Sequence, residues 1–314
     1  MNFQLFSPNE ACSADPSSTF FPAGTQTVCE IAPPPPVTPG MVIRCALLGS
    51  PIAHSCSPIL QQTLAAACGF SMQYDLLDTL PEQFLSHVTR LYQDGYTGCN
   101  CTMPLKLTLA QNAAQITPAV ARLGSANTFR FSDSGALLAD TTDGYGITAA
   151  LLHHGCLLRG KRILLIGAGG AARSIVDALV QSGAAQIIIC NRTPRILSGI
   201  QSVTLDAPTL RAFAPMCDVV IQASALGMHG MPPLPDLTFL SLLPAHAIVT
   251  DAVYTPLQTD LLRAAKERGL RTVDGLWMLL YQGVRAFTFF TGITPDANAI
   301  SAAYQAMQTE HTRS

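Results

Sequence analysis

The stretch RILLIGAGGAARSIVDALVQSG, Arg162 to Gly183, constrains this chain more than any other. Four apolar residues, Ile163 to Ile166, read as a short buried strand. Gly167, Gly169 and Ala172 then take G-x-G-x-x-G/A spacing at the mouth of an amphipathic helix. Gly167 permits a tight strand-to-helix turn, Gly169 lets backbone approach a pyrophosphate, and Ala172 lets the helix pack near the strand. The free N–H groups and the positive end of the helix dipole then face an anion. Glycine-rich turns are common, but a second strand, Ile187 to Cys190, follows this helix at the required distance, so the stretch reads as a dinucleotide site.

At 314 residues the chain has room for two domains, each with its own core. Hydrophobic residues make up 48% and charged residues 12%, yet Gly, Pro and polar residues interrupt every apolar run before it reaches membrane-spanning length. A net charge of -2 offers neither a basic field for nucleic acid nor a polybasic membrane anchor, so small molecules are the expected partners. The ten cysteines form no C-x-x-C pair and suit small core residues of a reduced, cytoplasmic compartment. No metal site is expected: His153 and His154 are adjacent and diverge on a helix, and H-E-x-x-H is absent.

Residues 1–40 contain no Lys or Arg, carry Pro33 to Pro36 in a row and hold no sustained period, which predicts a flexible, dispensable tail with Met41 as a possible start. From Val42 strands alternate with helices: strands at Val42–Leu48, Met72–Leu77 and Tyr96–Thr102, helices at Pro58–Cys68, Pro81–Gln93 and Leu105–Gln115. A hairpin joins Asn127–Phe131 to Ala136–Ala139 through Asp133, Ser134 and Gly135. A boundary near Asp143 precedes a helix at Ile147–His154, and the alternation resumes with strands at Asp218–Ile221, Ile248–Asp251 and Leu270–Val273. A helix at Asp260–Arg268 closes on Gly269, and two more finish the chain: Leu276–Thr291, then one with Thr294 as N-cap and Pro295 at N1. The end of the second nucleotide-side strand carries Asn191, Arg192 and Thr193 and no acid before Asp206, which suits a ribose 2′-phosphate and favours NADP over NAD.

The strings ALLGSPIAHSCSP (Ala46 to Pro58), GCNCTMPLK (Gly98 to Lys106), GSANT (Gly124 to Thr128) and ADTTDG (Ala139 to Gly144) resemble the substrate-side motifs of the shikimate/quinate dehydrogenase family. GAGGAAR (Gly167 to Arg173), NRT (Asn191 to Thr193) and DGLWMLLYQ (Asp274 to Gln282) resemble its cofactor and closing motifs, so the resemblance spans about Val42 to Met307. It implies a catalytic pair, Lys106 and Asp143, in which an ammonium held by a carboxylate protonates the alkoxide that hydride transfer leaves. From the residues alone the two would pass as an ordinary ion pair. It also implies substrate contacts from Ser55, Ser57, Asn100, Thr102, Asn127, Tyr254 and Gln282, whose hydroxyls and amides suit a polyhydroxylated ring acid. Ser55 and Ser57 read equally as caps of the helix at Pro58. Cofactor contacts would come from Gly167, Ala168, Gly169, Gly170, Ala171, Asn191, Arg192, Thr193 and Gly275.

Several positions depart from the family pattern: Cys56 stands for a frequent Lys, Thr141 for Asn, Trp277 for a small residue, and Gln222 and Ser224 for Asn and Thr. Arg195 lies one step before the usual second basic residue, and Pro194 and Gly199 interrupt the helix expected there. The fold expected is α/β: a mostly parallel N-terminal substrate domain of residues 41–142 and 276–314, and a Rossmann-type NADP domain of residues 143–275. The activity implied is reversible NADP-dependent reduction of 3-dehydroshikimate to shikimate, on the route to aromatic amino acids, by a monomer or homodimer. Alternatives are a quinate or related ring-acid dehydrogenase and a non-catalytic nucleotide-binding regulator.

Overall fold

The structure, a computed structural model, describes residues 26–38, 40–197 and 199–313. Seven strands make the first sheet: β1 (Thr27–Val28), β2 (Val42–Gly49), β3 (Ser71–Asp78), β4 (Gly98–Cys101), β5 (Gln115–Ile116), β6 (Thr128–Phe131) and β7 (Leu137–Asp140). Their spatial order is β1-β5-β7-β6-β4-β2-β3. Strand β6 runs antiparallel to both β4 and β7, and every other pair is parallel. The sheet is therefore mixed, because the short turn between Phe131 and Leu137, closed by Gly135 at φ +82°, can only fold β7 back on β6.

Helices α1 (Ser57–Ala67), α2 (Phe84–Gln93), α3 (Lys106–Asn112) and α4 (Pro118–Leu123) connect these strands. Strand β2 explains how they sort. It is paired on both edges, and its residues alternate: Cys45 and Leu47 join a core with Leu60 and Leu64 of α1, while Ala46 and Leu48 join Phe84 and Val88 of α2 on the other face.

Helix α5 (Asp143–His153) leads to the second sheet, built from β8 (Arg162–Ile166), β9 (Gln186–Asn191), β12 (Val203–Thr204), β13 (Val219–Gln222), β14 (Ile248–Asp251) and β15 (Arg271–Val273). All its pairs are parallel, in the order β12-β9-β8-β13-β14-β15. That order is the doubly wound arrangement, with its switch point between β8 and β13. Helix α6 (Gly170–Gln181) buries Ala172, Ile175, Val176 and Leu179, an i, i+3, i+4, i+7 stripe, against Ile163 and Leu165. Helices α7 (Ala207–Phe213) and α8 (Asp260–Glu267) cover the opposite face, where Leu164 and Ile166 point. Helices α9 (Gly275–Thr291) and α10 (Ala297–Arg313) return to the first sheet and pack on α1.

Five features differ from the sequence expectations. The hairpin β10 (Ile196–Leu197) and β11 (Ile200–Gln201) stands where Pro194 and Gly199 break a helix. Helix α5 begins at Asp143 rather than Ile147, and α3 stops at Asn112 so that Gln115 and Ile116 can pair with β7. The final helix starts at Ala297, because Asp296 rather than Thr294 caps it: its Oδ1 accepts the Ala299 N–H at 2.8 Å. Last, the tail expected over residues 1–40 lies outside the described residues as far as residue 25, but from Gln26 the chain is held. Thr27 and Cys29 donate to the Ala114 and Ile116 carbonyls, Gln26 Nε2 donates to the Ala110 carbonyl at 2.7 Å, and buried Arg130 donates to the Ala32 carbonyl. A chain beginning at Met41 is therefore expected to be less stable than one beginning at Gln26. The loss, read from chemical denaturation midpoints, should be about 1–3 kcal/mol, the cost of leaving a buried donor without its acceptor.

Candidate active site

Close helix packing sets the position of Asp143. A Cβ on Gly144 would lie 2.3 Å from the Ser174 carbonyl oxygen of α6, and one on Gly146 would lie 2.6 Å from the Met278 carbonyl oxygen of α9. Helix α5 is thus wedged between α6 and α9, and its first residue, Asp143, faces the first residue of α3, Lys106. Lys106 Nζ donates to Asp143 Oδ2 at 2.5 Å, with the two side chains 21% and 10% exposed. Asn127 Nδ2 donates to the other carboxylate oxygen at 2.8 Å and to Thr142 Oγ1 at 3.0 Å. Asn127 Oδ1 in turn accepts the Thr142 N–H at 2.7 Å.

The network extends across the first sheet. Thr128 Oγ1 donates to Asn127 Oδ1 at 3.2 Å and accepts from Asn100 Nδ2 at 2.9 Å. Asn100 Oδ1 accepts from the Tyr74 hydroxyl at 2.7 Å. Ser55 Oγ donates to Ser57 Oγ at 3.0 Å and accepts the Ser57 N–H, so Ser55 shapes the entry into α1, whose cap residue is Cys56. Gln282, reaching in from α9, accepts from Thr142 Oγ1 at 3.2 Å. Thr102 ends the run of β4 with its N–H on the Leu48 carbonyl, and its hydroxyl has no partner among the described residues. Seven of the nine residues expected to contact or transform a ring acid thus share this bonded region: Lys106, Asp143, Asn100, Asn127, Gln282 and, through Tyr74, Ser57 with Ser55.

Tyr254 sits apart from these bonds, half-buried beside Cys56, and burial raises its phenol above the usual range. It is carried by the turn after β14, which Asp251 holds: its carboxylate accepts the Val253 N–H at 2.9 Å and the Thr259 hydroxyl at 2.8 Å. Tyr74, Thr128 and Thr142 were not singled out in the sequence. Strand alternation marks Tyr74 as inward-facing, but nothing local reveals that its hydroxyl meets Asn100.

On the nucleotide side, Gly167 has φ +111°, and a Cβ there would lie 2.9 Å from Ala223 and Ser224, at the switch point of the sheet. Gly169 and Gly170 differ: among the described residues a Cβ on either meets no atom within 4 Å, and neither has positive φ. Packing of the described residues excludes a side chain at neither position, whereas close approach of a phosphate would. Gly169 caps α6 without a side chain to satisfy the first N–H groups. The turn therefore fits a pyrophosphate, with Ala168 buried beneath it and Ala171 at its rim. Asn191 Nδ2 donates to the Thr193 carbonyl at 2.7 Å, forming a tight turn on which Arg192 and Thr193 are exposed. Gly275 closes the opposite wall, since a Cβ there would lie 2.4 Å from the Val253 carbonyl oxygen.

The departures from the family pattern also find places. Thr141 Oγ1 and Ser174 Oγ are hydrogen-bonded at 3.2 Å, joining the segment before α5 to α6. Gln222 is occupied with its own loop, accepting from the Ser224 N–H and donating to the Leu226 carbonyl. Trp277 is stacked on Tyr304 at 3.9 Å and on His153 at 4.4 Å, filling the junction of α5, α9 and α10. Among the described residues no group of three His, Cys, Asp or Glu could hold a metal, and no helix is long and apolar enough to cross a membrane.

Residues 47–129 match the family model described as shikimate dehydrogenase substrate binding domain. Residues 150–226 match shikimate / quinate 5-dehydrogenase, and residues 275–303 the shikimate 5'-dehydrogenase C-terminal domain. A relative from Methylobacterium radiotolerans named shikimate dehydrogenase (NADP(+)) is 37% identical, over 80% of this chain and 92% of its own length. Shikimate 5-dehydrogenase from Thermus thermophilus, solved in complex with NADP(H) and shikimate, superposes with a TM-score of 0.75 at 31% identity, covering 85% of this chain and 99% of that one. Shikimate 5-dehydrogenase from Listeria monocytogenes, solved with shikimate and NAD, gives 0.73 at 28% identity, covering 83% and 96%.

Burial pushes the Asp251 carboxyl up to about 6. Its folded value thus lies above the ordinary 3.8, so the folded state binds the extra proton between these values, and the group's contribution to stability falls as pH rises through about 6. Asp251→Asn mimics the protonated form. The stability difference between the wild-type protein and this variant should shift against the wild type between pH 4 and pH 7, by about 3 kcal/mol at most, in denaturation measured at both pH values.

Proposed function

This chain belongs to the shikimate/quinate dehydrogenase family of oxidoreductases, and we propose that within it the protein reversibly reduces 3-dehydroshikimate to shikimate with NADP(H). The observation that carries this reading is the Lys106–Asp143 pair, 2.5 Å long and enclosed by amide and hydroxyl groups. Residues 41–142 with 276–314 form the substrate side and 143–275 the nucleotide side, a division supported by the two sheets and by α9 bringing Gln282 back to the first.

Bound NADPH supplies the hydride. The protein's residues manage the proton and the geometry. Lys106 Nζ presents a cation and a donor to the carbonyl oxygen as negative charge develops on it, then delivers the proton that makes it a hydroxyl. Asp143 holds the ammonium in place, and Asn127 holds Asp143 from its other oxygen. In the oxidative direction the same pair takes the hydroxyl proton. Ser55, Ser57, Asn100, Thr102, Asn127 and Gln282 supply hydroxyl and amide groups for a ring acid's carboxylate and hydroxyls. A site built to pair those groups disfavours analogues lacking them. Tyr254, on the turn against Gly275, completes the substrate set.

Gly167, Ala168, Gly169, Gly170 and Ala171 would hold the pyrophosphate, with Asn191, Arg192, Thr193 and Gly275 on its flanks. Preference for NADP rests on Arg192. Among the described residues its side chain has no hydrogen bond or ion pair, which leaves the guanidinium available to a 2′-phosphate.

Turnover of shikimate with NADP, followed at the nicotinamide absorbance, should fall by about 10²–10⁴-fold in Lys106→Ala with little change in cofactor affinity. Near-normal turnover in that variant would remove Lys106 from the chemistry. Catalytic efficiency should be higher on shikimate than on quinate, and the reverse order would assign the protein to the quinate branch of the family. Arg192→Ala should raise KM for NADP about 10–100-fold, the worth of one charge-assisted hydrogen bond. KM for NAD should stay unchanged; equal losses for both cofactors would take the 2′-phosphate away from Arg192.

A further inference from the structure

Tyr74 is a long way in sequence from every residue of the Lys106–Asp143 pair, yet it is bonded into the same network. It lies on β3, 4% exposed, opposite Cys45 of β2 in the core that the sheet shares with α1. A buried phenol must find an acceptor for its single hydrogen. Here that acceptor is Asn100 Oδ1 at 2.7 Å, while the Ser57 hydroxyl approaches the phenol oxygen from the other side.

Once Tyr74 claims Oδ1, the Asn100 carboxamide has one orientation. Its Nδ2 must point to Thr128 Oγ1, 2.9 Å away. Having accepted that bond, the Thr128 hydroxyl turns its own hydrogen to Asn127 Oδ1 at 3.2 Å. Asn127 Oδ1, which also accepts the Thr142 N–H at 2.7 Å, faces both donors, and its Nδ2 is turned toward Asp143, donating to Oδ1 at 2.8 Å. Every donor in this series points the same way, from the floor of the sheet to the carboxylate. Were the Asn100 carboxamide reversed, its oxygen would take the Thr128 hydrogen, and Asn127 Oδ1 would lose that donor.

We propose that Tyr74 is a positioning residue for the Lys106–Asp143 pair: its O–H bond to Asn100 sets the direction of the hydrogen bonds at Asn100 and Thr128, and so supplies the donor that, together with the Thr142 N–H, holds the Asn127 amide against the Asp143 carboxylate. The proposal rests on the proton-transfer role given to that pair. Tyr74 itself transfers nothing and acts only through Asn100.

The test compares Tyr74→Phe, Asn127→Ala, the double variant and Lys106→Ala with the wild-type protein. Tyr74→Phe keeps the ring and removes one hydroxyl, so kcat on shikimate should fall about tenfold, one hydrogen bond's worth. NADPH affinity, measured by its fluorescence, should remain within about twofold, since a local reorientation leaves the glycine turn untouched. The double variant should be no slower than Asn127→Ala alone, because the series is already cut; multiplied losses, or an unchanged kcat in Tyr74→Phe, would overturn the proposal. A second readout needs no turnover. In Tyr74→Phe the side-chain amide resonances of both Asn100 and Asn127 should shift, and a shift confined to Asn100 would end the series there and overturn the proposal. If wild-type protein turns over no ring acid, or Lys106→Ala is fully active, the functional reading fails while the resonances still decide whether Tyr74 orients Asn127.

Discussion

The site depends on how closely α5 approaches its two neighbours. Helices ordinarily keep their axes about 8–10 Å apart because side chains intervene. At Gly144 and Gly146 there is no room for any side chain, and the backbone of α5 lies against Ser174 on one helix and Met278 on another. Ser174 Oγ reinforces the contact by accepting the Gly144 N–H at 2.8 Å. This wedge brings the N-terminus of α5 to the edge of the first sheet while its body packs on the second. Asp143 can therefore meet Lys106 although the two lie 37 residues apart.

The polar groups gathered there sit in surroundings that would penalise any left unpaired. Asn100, Asn127, Thr128 and Thr142 are all buried, and each is bonded to another member of the set. Such a network specifies orientation because a misdirected donor in it costs a full desolvation penalty. The Lys106–Asp143 pair belongs to the same economy. A largely buried ion pair gains little net stability over an apolar replacement, so what it contributes is a cation held at a defined point. The Arg122–Asp177 pair, bidentate at 2.8 Å and half-exposed on the arginine side, ties α4 to α6 without any comparable surroundings.

Much of this was legible in the chain. Runs such as VIRCALLG and RILLI read as strands because they are short, rich in Val, Ile and Leu, and end at a glycine. The stripe of α6 and the Gly269 terminus of α8 follow equally from local spacing, Gly269 adopting φ +74° as a helix terminus requires. Other features were misread where a partner outside the local pattern, or a competing neighbour, decided the outcome. Thr27 and Val28 have no pattern of their own and become a strand only because β5 offers an open edge. Asp296 outcompetes Thr294 as a cap because the helix starts later than Pro295 suggests. Trp277 gains its meaning from His153 and Tyr304, which lie on two other helices.

By itself the sequence determined the two α/β sheets, the glycine turn and the identity of the groups around Lys106 and Asp143, since periodicity and motif chemistry are local properties. Tertiary structure alone decided which of those groups touch. Asn100 presents its amide with the oxygen toward Tyr74, a residue whose only sequence signal is that it faces inward, and Asn127 presents its own with the oxygen toward the Thr142 N–H. The open space around Gly169 and Gly170, unlike the crowded space around Gly167, likewise emerges only when the loop after β13 is folded against the turn. The physical reason is common to both. Hydrogen-bond direction and steric room are set by which atoms lie across a gap of a few ångströms, and those atoms come from remote parts of the chain.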